Sequence, residues 1–132
     1  MRQHRIFTLR YNARPGTVNR ERTLHWSHRA ASTKEWREAF AWLAKQQRIP
    51  PLGAIEVVAI PHLSDMRVQD VAACLPSVKA AIDGLVDAGV ILDDGPRHVH
   101  RVCFNRPMHD GRNCLTLIIT ELEEVRHESH VR

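Results

Sequence analysis

What most constrains this 132-residue chain is the order in which its hydrophobic pattern changes period. The β-branched run Ala54–Ile60 (AIEVVAI) is long enough for one buried strand. Pro61 is expected to end it, and His62–Asp70 to form a polar loop. A helical stripe then follows, Val78, Ile82, Leu85 and Val86, with Pro76 in its first turn and Gly89 as its stop. Upstream, Trp36, Phe40 and Leu43 recur at i, i+4, i+7. They predict a helix opened by the capping box Ser32-Thr33-Lys34-Glu35, running to about Gln47 and stopped by Arg48-Ile49-Pro50-Pro51. Ile6–Leu9 reads as a first strand; about His98–Phe104 and Leu115–Leu122 read as the last two, joined by the turn-rich segment Asn105–Asn113. The predicted order is β-α-β-α-β-β, an α+β fold with a mixed sheet and two helices on one face. It forms a single domain over residues 1–122, and the polar residues 123–132 are expected to fray.

Between the first strand and first helix, Arg10–Arg29 is Arg-rich and turn-prone, with Pro15-Gly16 marking a turn. Trp36 and Trp42 fall on the first helix. Either could stack on bases, but aromatic residues at helical spacing usually pack, so both are expected in the core.

Composition excludes several classes. Apolar residues make up 43% and charged residues 26%, which argues against wholesale disorder. No run approaches the ~20 apolar residues of a membrane span, and no signal-peptide core opens the sequence. Cys74, Cys103 and Cys114 are an odd, scattered set, so a disulfide framework is not expected and a reducing cytoplasm is. Phosphate-loop motifs are absent, which argues against a nucleotide cofactor, and the nine histidines lack zinc-site spacing.

Charge is lopsided. Residues 1–37 hold nine Lys/Arg against Glu21 and Glu35, a surplus of seven; the remaining 95 hold ten against thirteen. Sixteen of the nineteen cations are Arg, whose planar fork matches phosphate oxygens. A polyanion is the partner this implies, nucleic acid being the commonest. Arg20, Arg22, Arg29 and Arg67 are the candidate phosphate contacts.

The acids gather in the second half. Asp70 stands just before the second helix, where the positive end of the helix dipole favours anions. Asp93-Asp94 sits beyond that helix beside a Gly-Pro turn, as a solvated tip or a cation site. Lys79 lies near the start of the same helix with Asp83 four residues on. That pair is a surface ion pair, or a cation placed to neutralise a phosphate.

The segment Lys79–Asp94, KAAIDGLVDAGVILDD, resembles the RusA family of Holliday junction resolvases, homodimeric endonucleases common in phages and prophages. The family pattern is K-x-x-x-D-x-L, an Ala-Gly break, then an Asp-Asp turn. Thr17–Arg22, Thr33–Arg37 and the strand Leu115–Glu121 are similar to other parts of the family in the same order. The resemblance implies Mg²⁺-dependent cleavage of four-way or related branched double-stranded DNA, in the cytoplasm of a bacterial host. It implies Asp70, Asp93 and Asp94 as metal ligands, with Mn²⁺ a possible substitute, and Asp70, Lys79 and Asp94 as catalytic residues. The family's Asp-x-Asp-Asn-Leu motif falls on Asp70-Val71-Ala72-Ala73-Cys74, so alanine stands in place of the second aspartate and of the asparagine. Asp65 is a substitute ligand in the preceding loop. The alternative is a degenerate member that binds branched DNA or a recombination partner without cutting.

Geometry restricts how these acids meet. A helix over residues 76–88 spans ~20 Å, and the six residues from Ala88 to Asp94 recover only ~20 Å when fully extended. Asp94 returns to Asp70 in one chain only if that connection folds straight back; otherwise the two meet across a dimer.

Overall fold

The computed structural model describes residues 4–23 and 25–122. Its elements are β1 (Ile6–Tyr11), α1 (Val18–Thr23), α2 (Trp26–Gln46), β2 (Ala54–Leu63), α3 (Leu75–Asp87), β3 (Val99–Phe104), β4 (Met108–His109) and β5 (Cys114–Leu122). The fold is α+β with a mixed five-stranded sheet, as the hydrophobic pattern predicts, with α1 and β4 added. The expectation for residues 123–132 lies outside the described residues.

β2 sits inside the sheet. It pairs antiparallel with β5 from Ala54↔Leu122 to His62↔Cys114, and parallel with β3 and then β4 on its other side. β1 closes the far edge against β5, giving the order β1-β5-β2-β3. Alternation sends Leu9, Val57, Ala59, Leu117 and Ile119 to one face, where they are fully buried beneath α2 and α3. Val58, Ile60 and Ile118 point to the other face and are only half-buried.

Pro61 does not end β2, contrary to expectation: the strand continues to Leu63, with Pro61 opposite Leu115. The backbone of Ala59 faces β3, since its carbonyl accepts from Asn105 N–H at 2.9 Å. By alternation Pro61 faces the same side, at the gap where β3 has ended at Phe104 and β4 has yet to begin at Met108. Its missing N–H therefore breaks no ladder bond.

The largest correction is the start of α2. Ser32 does not cap it; the helix begins seven residues earlier, and His25 is the N-cap, accepting from Ser27 N–H at 3.2 Å. Ala30 and Ala31 are strong helix formers, and no Gly or Pro lies between Trp26 and Ser32 to break the run. α1 was hidden in the stretch read as turns. Thr17 caps it by accepting Arg20 N–H at 3.2 Å.

α2 and α3 cross closely. A Cβ built on Gly84 would run into the Arg37 carbonyl oxygen and lie 2.9 Å from Ala41 N, so glycine is what lets the backbones touch. Arg37 then reaches across to Asp87 with two bonds of 2.6 and 2.8 Å. Both helices end in the same way. Val90 N–H bonds Leu85 O and Gly89 N–H bonds Val86 O; Ile49 N–H bonds Ala44 O and Arg48 N–H bonds Lys45 O. Gly89 and Arg48 hold the left-handed position, at φ 80° and 56°. Among the described residues no helix is long and apolar enough to cross a membrane.

Candidate nucleic-acid interface

The turn after β1 is tied to α3 and to the loop before it, and α2 forms the facing wall. Gly16 N–H donates to Ser77 Oγ at 2.8 Å, and Val18 N–H to Ala73 O at 3.0 Å. Between them lies a mainly polar groove of about 940 Å³. Arg14, Arg20 and Arg67 line it together with Asp70 and Glu35, three cations against two anions. The groove thus brings together three of the residues expected to act, Asp70, Arg20 and Arg67.

Each wall has a reason for its shape. Tyr11 donates its hydroxyl to Glu35 Oε2 at 2.6 Å, and its ring meets Trp36 edge-on at 4.9 Å. That hydrogen bond to a carboxylate pushes the Tyr11 phenol up to about 12 and fixes where Glu35 points. The loop is held by Asp65, which accepts from Arg67 N–H at Oδ1 (3.1 Å) and from Arg14 at Oδ2 (3.1 Å). Both its oxygens are occupied, and these bonds, Arg67 N–H first, hold it below the usual carboxylate range. Asp65 therefore serves as a loop clamp in this fold.

A second latch lies beyond this loop. Buried His62 places Nδ1 2.7 Å from Asp110 Oδ2 and Nε2 3.1 Å from Thr116 Oγ1, which also accepts from Arg10 Nε at 3.1 Å. Arg112 and then His62 hold Asp110 well below the usual carboxylate range. Asn113 Oδ1 accepts from Ser64 N–H (3.0 Å) and from Arg14 (3.3 Å), so the β4–β5 turn and the Asp70 loop share one network.

The other expected residues lie apart. Asp94 and Lys79 act electrostatically on Asp83, in the C-terminal half of α3: burial first, then Asp94, push the Asp83 carboxyl up, while Arg37 and Lys79 oppose them. Asp93 accepts Gly95 N–H at 2.8 Å, with Oδ2 3.9 Å from His98 Nε2. Neither Asp93, Asp94 nor Lys79 lines the groove that holds Asp70. Among the described residues, no three His, Cys, Asp or Glu side chains gather as a metal site. Arg22 and Arg29 are exposed on α1 and α2 outside the groove lining.

Glu35 is the groove residue that sequence reasoning placed wrongly. The S-x-x-E pattern assigned its carboxylate to a helix cap; with the helix starting at Trp26, that carboxylate turns instead to Tyr11 and the groove. Trp42 was also misplaced: it is 60% exposed, whereas Trp36 is buried as expected. No protein-family model matches the chain, and no curated protein matches it either.

Proposed function

We propose that this chain is a RusA-like protein that binds branched double-stranded DNA and cleaves four-way junctions with Mg²⁺. The observation that carries the reading is the groove in which Asp70 lies beside Arg20 and Arg67. Arginines supply charge and paired donors to phosphate oxygens, and a carboxylate among them suits a hard cation next to the same phosphate.

Mg²⁺ is commonly held by one or two carboxylates, waters and substrate phosphates. Asp70 would supply such a carboxylate, and Glu35 lines the same groove. When bound, the ion supplies an activated water and neutralises charge on the scissile phosphate. Arg20 and Arg67 hold the flanking phosphates, and Tyr11 fixes the direction of Glu35. Asp93, Asp94 and Lys79 lie outside the groove lining, so on this reading a second copy would bring them to the site.

A homodimer accords with this reading, because paired incisions in a two-fold junction require two sites related by that symmetry. The half-buried sheet face of Val58, Ile60 and Ile118 is the surface a second copy would cover. Cys74, Cys103 and Cys114 are free thiols, in keeping with a reducing compartment, and the bacterial cytoplasm and a phage or prophage source belong to the RusA-like reading itself.

A second reading, binding without cutting, draws on the separation of Asp70 from Asp93 and Asp94. Incubation of a labelled four-way junction with the protein, with and without Mg²⁺ or Mn²⁺, decides between them. Symmetric metal-dependent nicks are expected; retarded but intact junctions at every metal concentration would leave the second reading standing. Sedimentation as a 15.1 kDa monomer both with and without DNA would count against a resolvase.

A further inference from the structure

Two tryptophans of α2 are exposed, Trp26 at 68% and Trp42 at 60%, and their surroundings differ in charge. Trp42 lines a shallow cleft with Lys34, Glu35 and Glu38, one cation against two carboxylates. Trp26 instead neighbours His25 and His28 in sequence and stands between Arg22 and Arg29.

The backbone around Trp26 accounts for its exposure. Every residue from His25 to Ala31 is exposed, and the first buried residue of α2 is Trp36. The beginning of the helix is therefore an arm that α3 and the sheet do not cover. Neighbouring Ser27, Ala30 and Ala31 are too small to shield an indole. The His25 ring stands against it with centroids 5.5 Å apart and planes tilted by 37°.

We propose that Trp26 is a base-stacking probe that reads unstacked bases at a branch point or strand end of DNA. In continuous duplex each base already has stacked neighbours above and below, so an indole gains nothing without first opening the stack. At a branch or an unpaired arm a base face is open, and stacking on an aromatic ring is sequence-tolerant because every base has one. Cationic neighbours bring the backbone close by an attraction that is independent of sequence and needs no open base face. The arm thus divides the work: arginines give affinity, and Trp26 gives preference for branched over continuous DNA. This rests on the DNA reading above.

The test compares equilibrium binding of the wild type, Trp26→Ala, Trp26→Phe and Trp42→Ala to three fluorescent DNAs: a four-way junction, a fork with unpaired arms, and a duplex of the same composition. Trp26→Ala is expected to lose about ten-fold in affinity for the junction and fork and little for the duplex. Trp26→Phe should recover most of the loss, and Trp42→Ala should match the wild type on all three. An equal loss on duplex, or no loss on any DNA, overturns the inference and leaves the DNA reading intact; the second outcome is what a protein-docking role for the arm gives. Failure of the wild type to bind any of the three overturns both.

Discussion

The two long helices share one layer and do different work. α3 has 13 residues and buries seven of them, from Ser77 to Leu85; α2 has 21 and buries Trp36, Phe40 and Ala44. α3 is held on nearly every side, while α2 packs through its second half and extends its first half into solvent. The difference follows from composition. α3 offers Val78, Ala80, Ala81, Ile82, Gly84 and Leu85, small or apolar on most of its circumference. The first half of α2, WSHRAASTKE, has one large apolar residue and three cationic or imidazole groups. A helix needs tertiary contact along one face only, so the half without a core duty is free to carry charge and aromatic surface. Function on this reading belongs to α2 and the loop ahead of α3, and stability to α3 itself.

Stability tests that division most directly. Leu85→Ala in α3 is expected to cost about 3 kcal/mol, since the side chain is fully buried and its neighbours collapse only in part. Gly84→Val should approach the same figure by forcing apart the two helices that the glycine lets touch. Thr33→Ala on the exposed side of α2 should stay within about 0.5 kcal/mol. Urea unfolding measures all three. Equal losses on both helices would end the division of labour.

Next in size are the groove variants. Asp70→Asn should reduce junction cutting at least a hundred-fold while leaving junction binding near wild type, because binding needs the arginines and cutting needs the carboxylate. Asp94→Asn is the matched change at the far end of α3. If it also abolishes cutting and the protein sediments as a dimer, the second copy completes the site. Ala72→Asp should lower the Mg²⁺ requirement by adding a hard oxygen ligand two residues from Asp70. The double change Arg20→Ala, Arg67→Ala should weaken DNA binding about ten-fold or more, and flatten the slope of log affinity against log salt by about 2. Arg97→Ala, on the turn after α3, should leave that slope unchanged.

How much of this was legible in sequence depended on whether local pattern and tertiary duty agreed. In β2, β5 and α3 they agree. Period and length identified each, and only Pro61 misled, because a gap between two partner strands is invisible along the chain. The start of α2 carries no apolar stripe, since every residue from His25 to Ala31 is exposed, and α1 is only six residues long, so neither gave a periodic signal. Glu35 was misassigned because S-x-x-E fits both a cap and an ordinary helical stretch. The groove joins residues about fifty apart, Arg20 with Asp70, through backbone bonds at Gly16 and Val18 that no motif encodes. The arginine surplus was legible as a partner class but not as a place: it pointed to Arg20 in the groove and equally to Arg22 outside it.

Titration sharpens the part of α2 that faces the groove. Tyr11 is the chain's one tyrosine, so its phenolate absorbance reports this site alone. Its folded value, about 12, lies above the ordinary 10. A raised value means the protonated phenol is favoured by folding. The Tyr11–Glu35 contribution is therefore complete below pH 10 and is lost as pH rises from 10 toward 12. The absorbance midpoint should move from about 12 to about 10 on unfolding, and Glu35→Gln should lower the folded midpoint. Asp110 has the opposite sign. Held below its ordinary 3.8, its contribution is present above that pH and lost as pH falls further, so Asp110→Asn should flatten the acid limb of stability. An unchanged acid limb would mean that His62 is held by Thr116 alone.

The smallest expected effect lies where the two helices are most alike, at their C-terminal ends. Both place one residue in the left-handed region, Gly89 after α3 and Arg48 after α2, and both satisfy the last carbonyls with the same pair of backbone bonds. Glycine adopts that conformation without steric cost, whereas a Cβ makes it unfavourable by about 1 kcal/mol. Arg48 is exposed and at φ 56°, so its side chain offers little burial in return. Arg48→Gly should stabilise the fold by about 0.5 kcal/mol, less than the full conformational gain because glycine also loosens the unfolded chain. Gly89→Ala should destabilise by about 1 kcal/mol, although nothing lies within 4 Å of an added Cβ, so the loss would be purely conformational. If Arg48→Gly instead destabilises, the arginine side chain holds the end of α2 through its own contacts, and the two endings are alike in backbone only.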